Sequence, residues 1–271
     1  PITSVMAEEA RKQSVLKTGK EIAALCNKYD NYSNSNDGDK IDNRLMVKTN
    51  DNIDEYGAVD SVYGFGYAFL QYADDESAEF AKTQYETSGY TADYDSVITT
   101  SSTSIGSGGN WSDEWAYEET DAVSALDYYK SKIKPNINIA ILDSGINYNH
   151  ELFKNRVVHT HTDFSTDASD DEMDKYGHGT NVAGAIAKST PSNVRLSCYK
   201  IHNQNGEGTS ATALAAFEYI KQLSNKPDII NCSFVTRSGL GTVVDELVDM
   251  GITVVAGAGN EGKEVYQQPA I

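Results

Sequence analysis

The architecture of this chain turns on Ile139-Ala140-Ile141-Leu142-Asp143-Ser144-Gly145. Four aliphatic residues with no polar one among them describe a strand covered on both faces, and Asp-Ser-Gly ends it in a turn. A carboxylate therefore stands where a buried strand opens out. On either side the same rhythm recurs: helix over about 120–131, strand Ile137 to Leu142, helix from His178, strand Val194 to Lys200, helix Ser210 to Gln222, strand Ile229 to Phe234, helix Val243 to Met250, strand Ile252 to Ala256. Apolar strands alternating with helices predict an α/β domain built on a doubly wound parallel sheet, with its chemistry at the carboxyl ends of the strands.

Upstream the pattern differs. Leu45-Met46-Val47 begins a strand, Gly66 to Tyr72 makes another, Asp74 to Glu86 is helical with Ala78, Ala81 and Tyr85 on one face, and Tyr90 to Thr99 returns as a strand. This order predicts a small α+β unit over residues 44–100. Ten of the twelve residues from Thr99 to Asn110 are Ser, Thr or Gly, so 101–110 reads as a flexible connector to the larger domain at 111–271. Residues 1–43 form a helical, mixed-charge N-terminal segment followed by a polar linker from Asn27 to Asn43. Asp37-Gly38-Asp39 lacks the closing Glu and early carboxylates of a calcium loop and reads as part of that linker. The chain opens with Pro1, and Val5-Met6-Ala7 before Glu8-Glu9 fits either the stub of an export signal or an ordinary Ala-containing N-terminus.

With 22 Lys+Arg against 40 Asp+Glu the net charge is −18, which argues against nucleic acid or an anionic membrane as partner. The longest apolar stretches, such as Ile252 to Gly259, fall far short of the roughly 18 residues a membrane span requires. Cys26, Cys198 and Cys232 are too scattered for a disulfide framework or a metal knuckle and are expected to be buried free thiols.

Three residues at predicted strand or helix ends carry the chemistry. Asp143 is placed as an orienting acid or as a turn former. His178 lies in Tyr176-Gly177-His178-Gly179-Thr180, where the glycines permit close approach and an apolar helix follows. Asn260 ends Val254-Val255-Ala256-Gly257-Ala258-Gly259, where its amide would donate to a developing oxyanion or form a turn.

The segments around Asp143, Gly177-His178-Gly179-Thr180 and Ala258-Gly259-Asn260-Glu261-Gly262 resemble, in order, the Asp, His and oxyanion-Asn motifs of the subtilisin-like serine proteases. Asn231-Cys232-Ser233-Phe234 is similar to that family's substrate-binding strand. The resemblance implies that Asp143 orients His178, that His178 is the general base, and that Asn260 holds the oxyanion. It further implies that Ser233, Phe234 and Gly257 contact substrate, and that residues 44–100 are a ferredoxin-like inhibitory pro-domain cut off in the 101–110 connector. Peptide or protein substrates and export from the cell follow from the same resemblance. No cofactor is implied, and the short segment Ala187 to Val194 leaves no room for the calcium-binding insertion of some relatives, so no metal site is expected.

The family's nucleophile lies in a Gly-Thr-Ser after the oxyanion Asn, and none follows Asn260 in the eleven residues to Ile271. Gly208-Thr209-Ser210 stands in the wrong order and is read as a helix cap. The expectation is a precursor whose catalytic serine lies outside these residues, inactive as it stands. Val235 replaces the Gly usual beside the substrate backbone. Six acids between Thr162 and Lys175 read as a solvated loop, or as a cleft wall favouring basic residues. Two other functions remain open: a pseudoprotease that binds peptides by strand addition, and a dinucleotide site at Gly257-x-Gly259-x-x-Gly262.

Overall fold

The computed structural model describes residues 2–29, 40–99, 117, 119–129, 132, 136–160, 162–167, 171–236 and 239–259. The 30–39 linker segment, the 101–110 connector, Asp170, Asn260 and Gly262 lie outside them.

Helix α1 (Ile2–Lys28) leads into four strands and a helix: β1 (Lys40–Lys48), β2 (Asp60–Gly64), β3 (Tyr67–Gln71), α2 (Asp75–Thr87) and β4 (Ala92–Thr99). Strand β1 begins inside the stretch expected to be linker. Antiparallel pairing gives the order β2-β3-β1-β4, which is the ferredoxin-like arrangement with a loop at 49–59 in place of its first crossover helix. The expected helix α2 starts where Asp74 accepts the Ser77 N–H at 2.8 Å, and it buries Ala78, Ala81 and Tyr85. Strand β2 is an addition to the sequence reading. It joins β3 through Phe65 and Gly66, both with positive φ, as the twist of a two-residue hairpin requires.

The second half alternates as expected, with β6 and β8 as additions to the sequence reading: α3 (Ala122–Tyr129), β5 (Asn138–Asp143), β6 (Val157–Val158), α4 (His178–Ser189), β7 (Arg195–Lys200), β8 (Glu207–Thr209), α5 (Ser210–Gln222), β9 (Ile229–Cys232), α6 (Gly241–Asp249) and β10 (Thr253–Ala256). Five of these strands form a wholly parallel sheet ordered β10-β9-β5-β7-β6. Side chains of a strand alternate between faces. Ile139 and Ile141 accordingly pack with Ala183 and Ala187 of α4, while Ala140 and Leu142 pack with Leu214 and Phe217 of α5. Helices on both faces make the sheet doubly wound.

The two sheets are not independent. Strand β8 leaves the parallel sheet and pairs antiparallel with β4, and the cluster around α5 takes in Met46, Phe69 and Ile98 from the small unit and Ile22, Leu25 and Cys26 from α1. Leu45 and Val47 face the other way, onto α2. At the joint, buried Asp95 accepts from Ala211 N–H at the start of α5 (3.1 Å) and pairs with buried Arg44 (3.2 Å). The three cysteines are buried thiols outside any disulfide, as expected. Among the described residues no helix is long and apolar enough to cross a membrane.

Candidate active site

Asp143 is the last residue of β5 and is fully buried at the carboxyl edge of the parallel sheet. His178 is the first residue of α4, whose N-cap, Gly177, has φ +106° and so needs glycine. The two meet: His178 Nδ1 lies 2.8 Å from Asp143 Oδ1 and 3.0 Å from Oδ2. With Nδ1–H donating to the carboxylate, Nε2 is the ring's proton-accepting atom.

Glycines make this approach possible. A Cβ on Gly179 would fall 2.2 Å from the Gly145 carbonyl oxygen and 3.1 Å from Asp143 Cβ. Gly145 itself has φ +116° and presses against the Glu172 carbonyl. Asp-Ser-Gly and His-Gly-Thr therefore interlock backbone against backbone.

Asp174 holds the junction. Its Oδ1 accepts from Tyr176 N–H, Gly177 N–H and the Ser144 hydroxyl, and its Oδ2 accepts from Thr180 N–H and hydroxyl, at 2.6 to 3.0 Å. Ser144 Oγ in turn accepts from Gly179 N–H at 3.0 Å. Since Gly177 has no capping side chain, Asp174 supplies the acceptor that α4 lacks. Burial pushes the His178 pKa down, but the hydrogen bond and charge of Asp143, with the charge of Asp174, outweigh it, and the net shift is upward.

Four of the five acids described in 163–174, Asp163, Asp167, Glu172 and Asp174, are paired within the fold rather than solvated, contrary to the solvated-loop expectation, while Asp171 is exposed. Asp163 and Asp167 pair with fully buried Lys200 at 3.4 and 2.8 Å, Glu172 bonds His159 at 2.7 Å, and Asp174 is the cap just described. Asp171 accepts from Met173 N–H. Desolvation makes such pairing necessary for carboxylates lying this close to the core.

Ser233 follows β9, partly exposed, and its Oγ accepts from Asn231 at 3.0 Å. Gly257 follows β10, exposed, with its N–H bonded to Cys232 O at 3.0 Å. Both thus sit on the edge of the sheet that carries Asp143. The Phe234 side chain is buried instead, its ring edge-on to His202 at 5.9 Å, and Val235 is buried beside it. Gly208-Thr209-Ser210 is a cap: Thr209 and Thr212 form a capping box on α5, and buried Ser210 bonds Thr236 at 2.8 Å. His202, Ser144, Asp174 and Thr180 belong to the site although their motifs did not single them out, because their roles arise from contacts across the fold.

An acid–histidine pair at the carboxyl edge of a doubly wound sheet is the arrangement of a triad hydrolase. The model of the subtilase family (Peptidase_S8) matches residues 134–270, just over half of the chain, and the chain belongs to that family. Subtilisin DY of Bacillus licheniformis is 35% identical over 143 residues, covering 49% of this chain and 50% of its own. The extracellular serine proteinase of Thermus sp. (strain Rt41A) is 29% identical over 140 residues, covering 49% and 34%. The chain thus spans about a third to a half of the length of these curated relatives. The crystal structure of the epidermin leader peptide processing serine protease of Staphylococcus aureus shares the fold, with TM-score 0.52 and 18% identity over 80% of this chain and 60% of that one. The family match also encloses Gly257 and Gly259, which assigns this glycine-rich turn to the subtilase domain.

Proposed function

We propose that the chain is part of a secreted serine endopeptidase precursor, in which His178 is the general base and later acid, and Asp143 fixes its tautomer and stabilises the imidazolium. The observation that carries this reading is the two-oxygen contact of His178 Nδ1 with buried Asp143, which turns Nε2 into the proton acceptor for a serine hydroxyl. Asn260 is assigned the oxyanion, and Ser233 and Gly257, with the Phe234 backbone, the substrate; Asn260 lies outside the described residues. The mechanism further requires the serine that the family places after the oxyanion Asn.

Residues 44–100 act in this reading as the inhibitory pro-domain, bound through the β4–β8 ladder, where an edge strand accepts an extended segment. Maturation is assigned to the 101–110 connector. The extracellular Thermus relative supports export.

The same ladder is compatible with a protein that binds peptides without cutting them. The gene sequence past Ile271 and a peptidase assay of its full-length product separate the two. A downstream Gly-Thr-Ser with cleavage blocked by a serine-directed inhibitor supports the protease; absence of both supports the binding protein.

A further inference from the structure

Helix α1 comes before the small sheet in sequence, yet in the fold it touches both units of the chain. Val15, Gly19, Ile22 and Cys26 follow one another by four, three and four residues and so lie on one helical face. That face meets the larger domain. A Cβ on Gly19 would fall 2.6 Å from Cδ1 of the fully buried Phe164 and 3.5 Å from Ala215 Cβ of α5, so the helix backbone rests directly on both. Cys26 Sγ lies 3.6 Å from Oγ1 of Thr209, the residue that caps α5. Ile22 and Cys26 are fully buried in the cluster around α5, and Val15 packs against it.

The adjoining face meets the small unit. A Cβ on Gly64 of β2 would fall 2.2 Å from Thr18 Cγ2, so here too a glycine admits the helix. Lys28 pairs with Asp60 of β2 at 2.6 Å, the Tyr29 hydroxyl donates to the same carboxylate at 3.2 Å, and Arg44 of β1 donates to the Cys26 carbonyl at 3.4 Å. Helix α1 is thus wedged between β2 and α5. It joins the two units at a place separate from the β4–β8 ladder.

A second joint matters once the 101–110 connector is cut, because residues 1–100 and the peptidase domain are then held by contacts alone. Two linked contact sites bind more tightly than either, since one rebinds while the other still holds. We propose that the inhibitory segment is residues 1–100 rather than 44–100, with α1 as its second anchor. The surface made by Phe164 and the Ala215 side of α5 is then an exosite of the peptidase domain, and α1 is its occupant. The proposal rests on the reading of the small unit as an inhibitory pro-domain.

The test follows the complete precursor after connector cleavage and measures how fast residues 1–100 leave, by gel filtration and by the rise of activity on a chromogenic peptide. Gly19→Leu supplies a good helix former but drives its side chain into Phe164, and it is expected to speed release by about tenfold or more. Lys17→Ala, on the exposed side of α1, is expected to leave the rate unchanged. A second precursor keeps the wild-type helix and carries a site-specific protease sequence inserted within 30–39. It is folded first and cut afterwards, and severing α1 from the sheet is expected to speed the loss of residues 40–100 by a similar factor. Release at the wild-type rate from the severed precursor or from folded Gly19→Leu overturns the proposal, and so does equal acceleration by Lys17→Ala. Activity that still rises as the segment leaves would then keep the pro-domain reading in place. Full activity while residues 1–100 remain bound overturns that reading and this inference with it, and absence of any inhibitor-sensitive cleavage overturns the protease reading as well.

Discussion

Gly179 rests against Gly145 so closely that a single added carbon would lie 2.2 Å from the Gly145 carbonyl oxygen. The contact joins the turn after Asp143 to the helix that His178 begins, and backbone on both sides leaves nothing soft to give way. Overpacking of this kind costs about 1–3 kcal/mol. Gly179→Ala is expected to lower the denaturant midpoint accordingly and to separate His178 from Asp143, cutting kcat of the complete enzyme more than it raises KM.

Asp143→Asn keeps the shape of the dyad and changes the tautomer, because an amide that donates to Nδ1 leaves the proton on Nε2. A loss of about 10⁴ in kcat is expected, with little change in stability. An equal loss in KM alone would show that Asp143 binds substrate rather than orienting the base.

Asp174→Ala removes the acceptor for three main-chain N–H groups at and just before the start of α4 and for two hydroxyls. Loss of a helix cap costs about 1 kcal/mol, and the orphaned, partly buried donors add to it, so destabilisation of about 1–2 kcal/mol is expected in urea unfolding. Asp174 also helps to raise the His178 pKa. Its loss should therefore move the acid limb of the kcat/KM profile to lower pH, the base staying unprotonated further into acid.

His202 titrates with the opposite sign. A folded pKa near 4, below the ordinary value of 6.5, means that the unfolded chain binds the extra proton between those two limits. Stability is then lost as pH falls from about 6.5 to 4, by up to about 3 kcal/mol. His202→Leu should flatten that part of the pH dependence of unfolding, and an unchanged slope would assign the acid sensitivity elsewhere.

Arg44 and Asp95 are both buried where the small sheet meets α5. Removing one member of such a pair strands the other's charge, and Arg44→Met is expected to destabilise the chain by about 3–5 kcal/mol in thermal or denaturant melts. Adding Asp95→Asn should recover part of the loss, since an amide oxygen still accepts from Ala211 N–H.

Local patterns carried most of the architecture. Four-residue aliphatic runs such as Ile139 to Leu142 can only be strands covered on both faces, and Asp74 or Thr209 before a helical run is a start signal that needs no partner. Asp143 and His178 were legible for a related reason: each ends or opens an element whose boundary is written in adjacent glycines. Strand β8 was not legible, because Glu207-Gly208-Thr209 contains no apolar residue and is a strand only through its ladder with β4. Strand β2 was missed because Phe65-Gly66 is an unusual hairpin turn.

The acids of 163–174 mark the boundary between the two kinds of information. Their sequence specifies charge, which in isolation reads as solvent-facing. Lys200, His159 and the bare N-terminus of α4 become their partners only when strands distant in the chain are brought side by side, and desolvation then makes pairing obligatory. His202 shows the same dependence in reverse, as a polar side chain that the tertiary structure encloses without a partner. The order of strands and helices was thus set by short-range periodicity, whereas which polar groups are paired, and which is enclosed without a partner, was decided by packing between residues far apart in sequence.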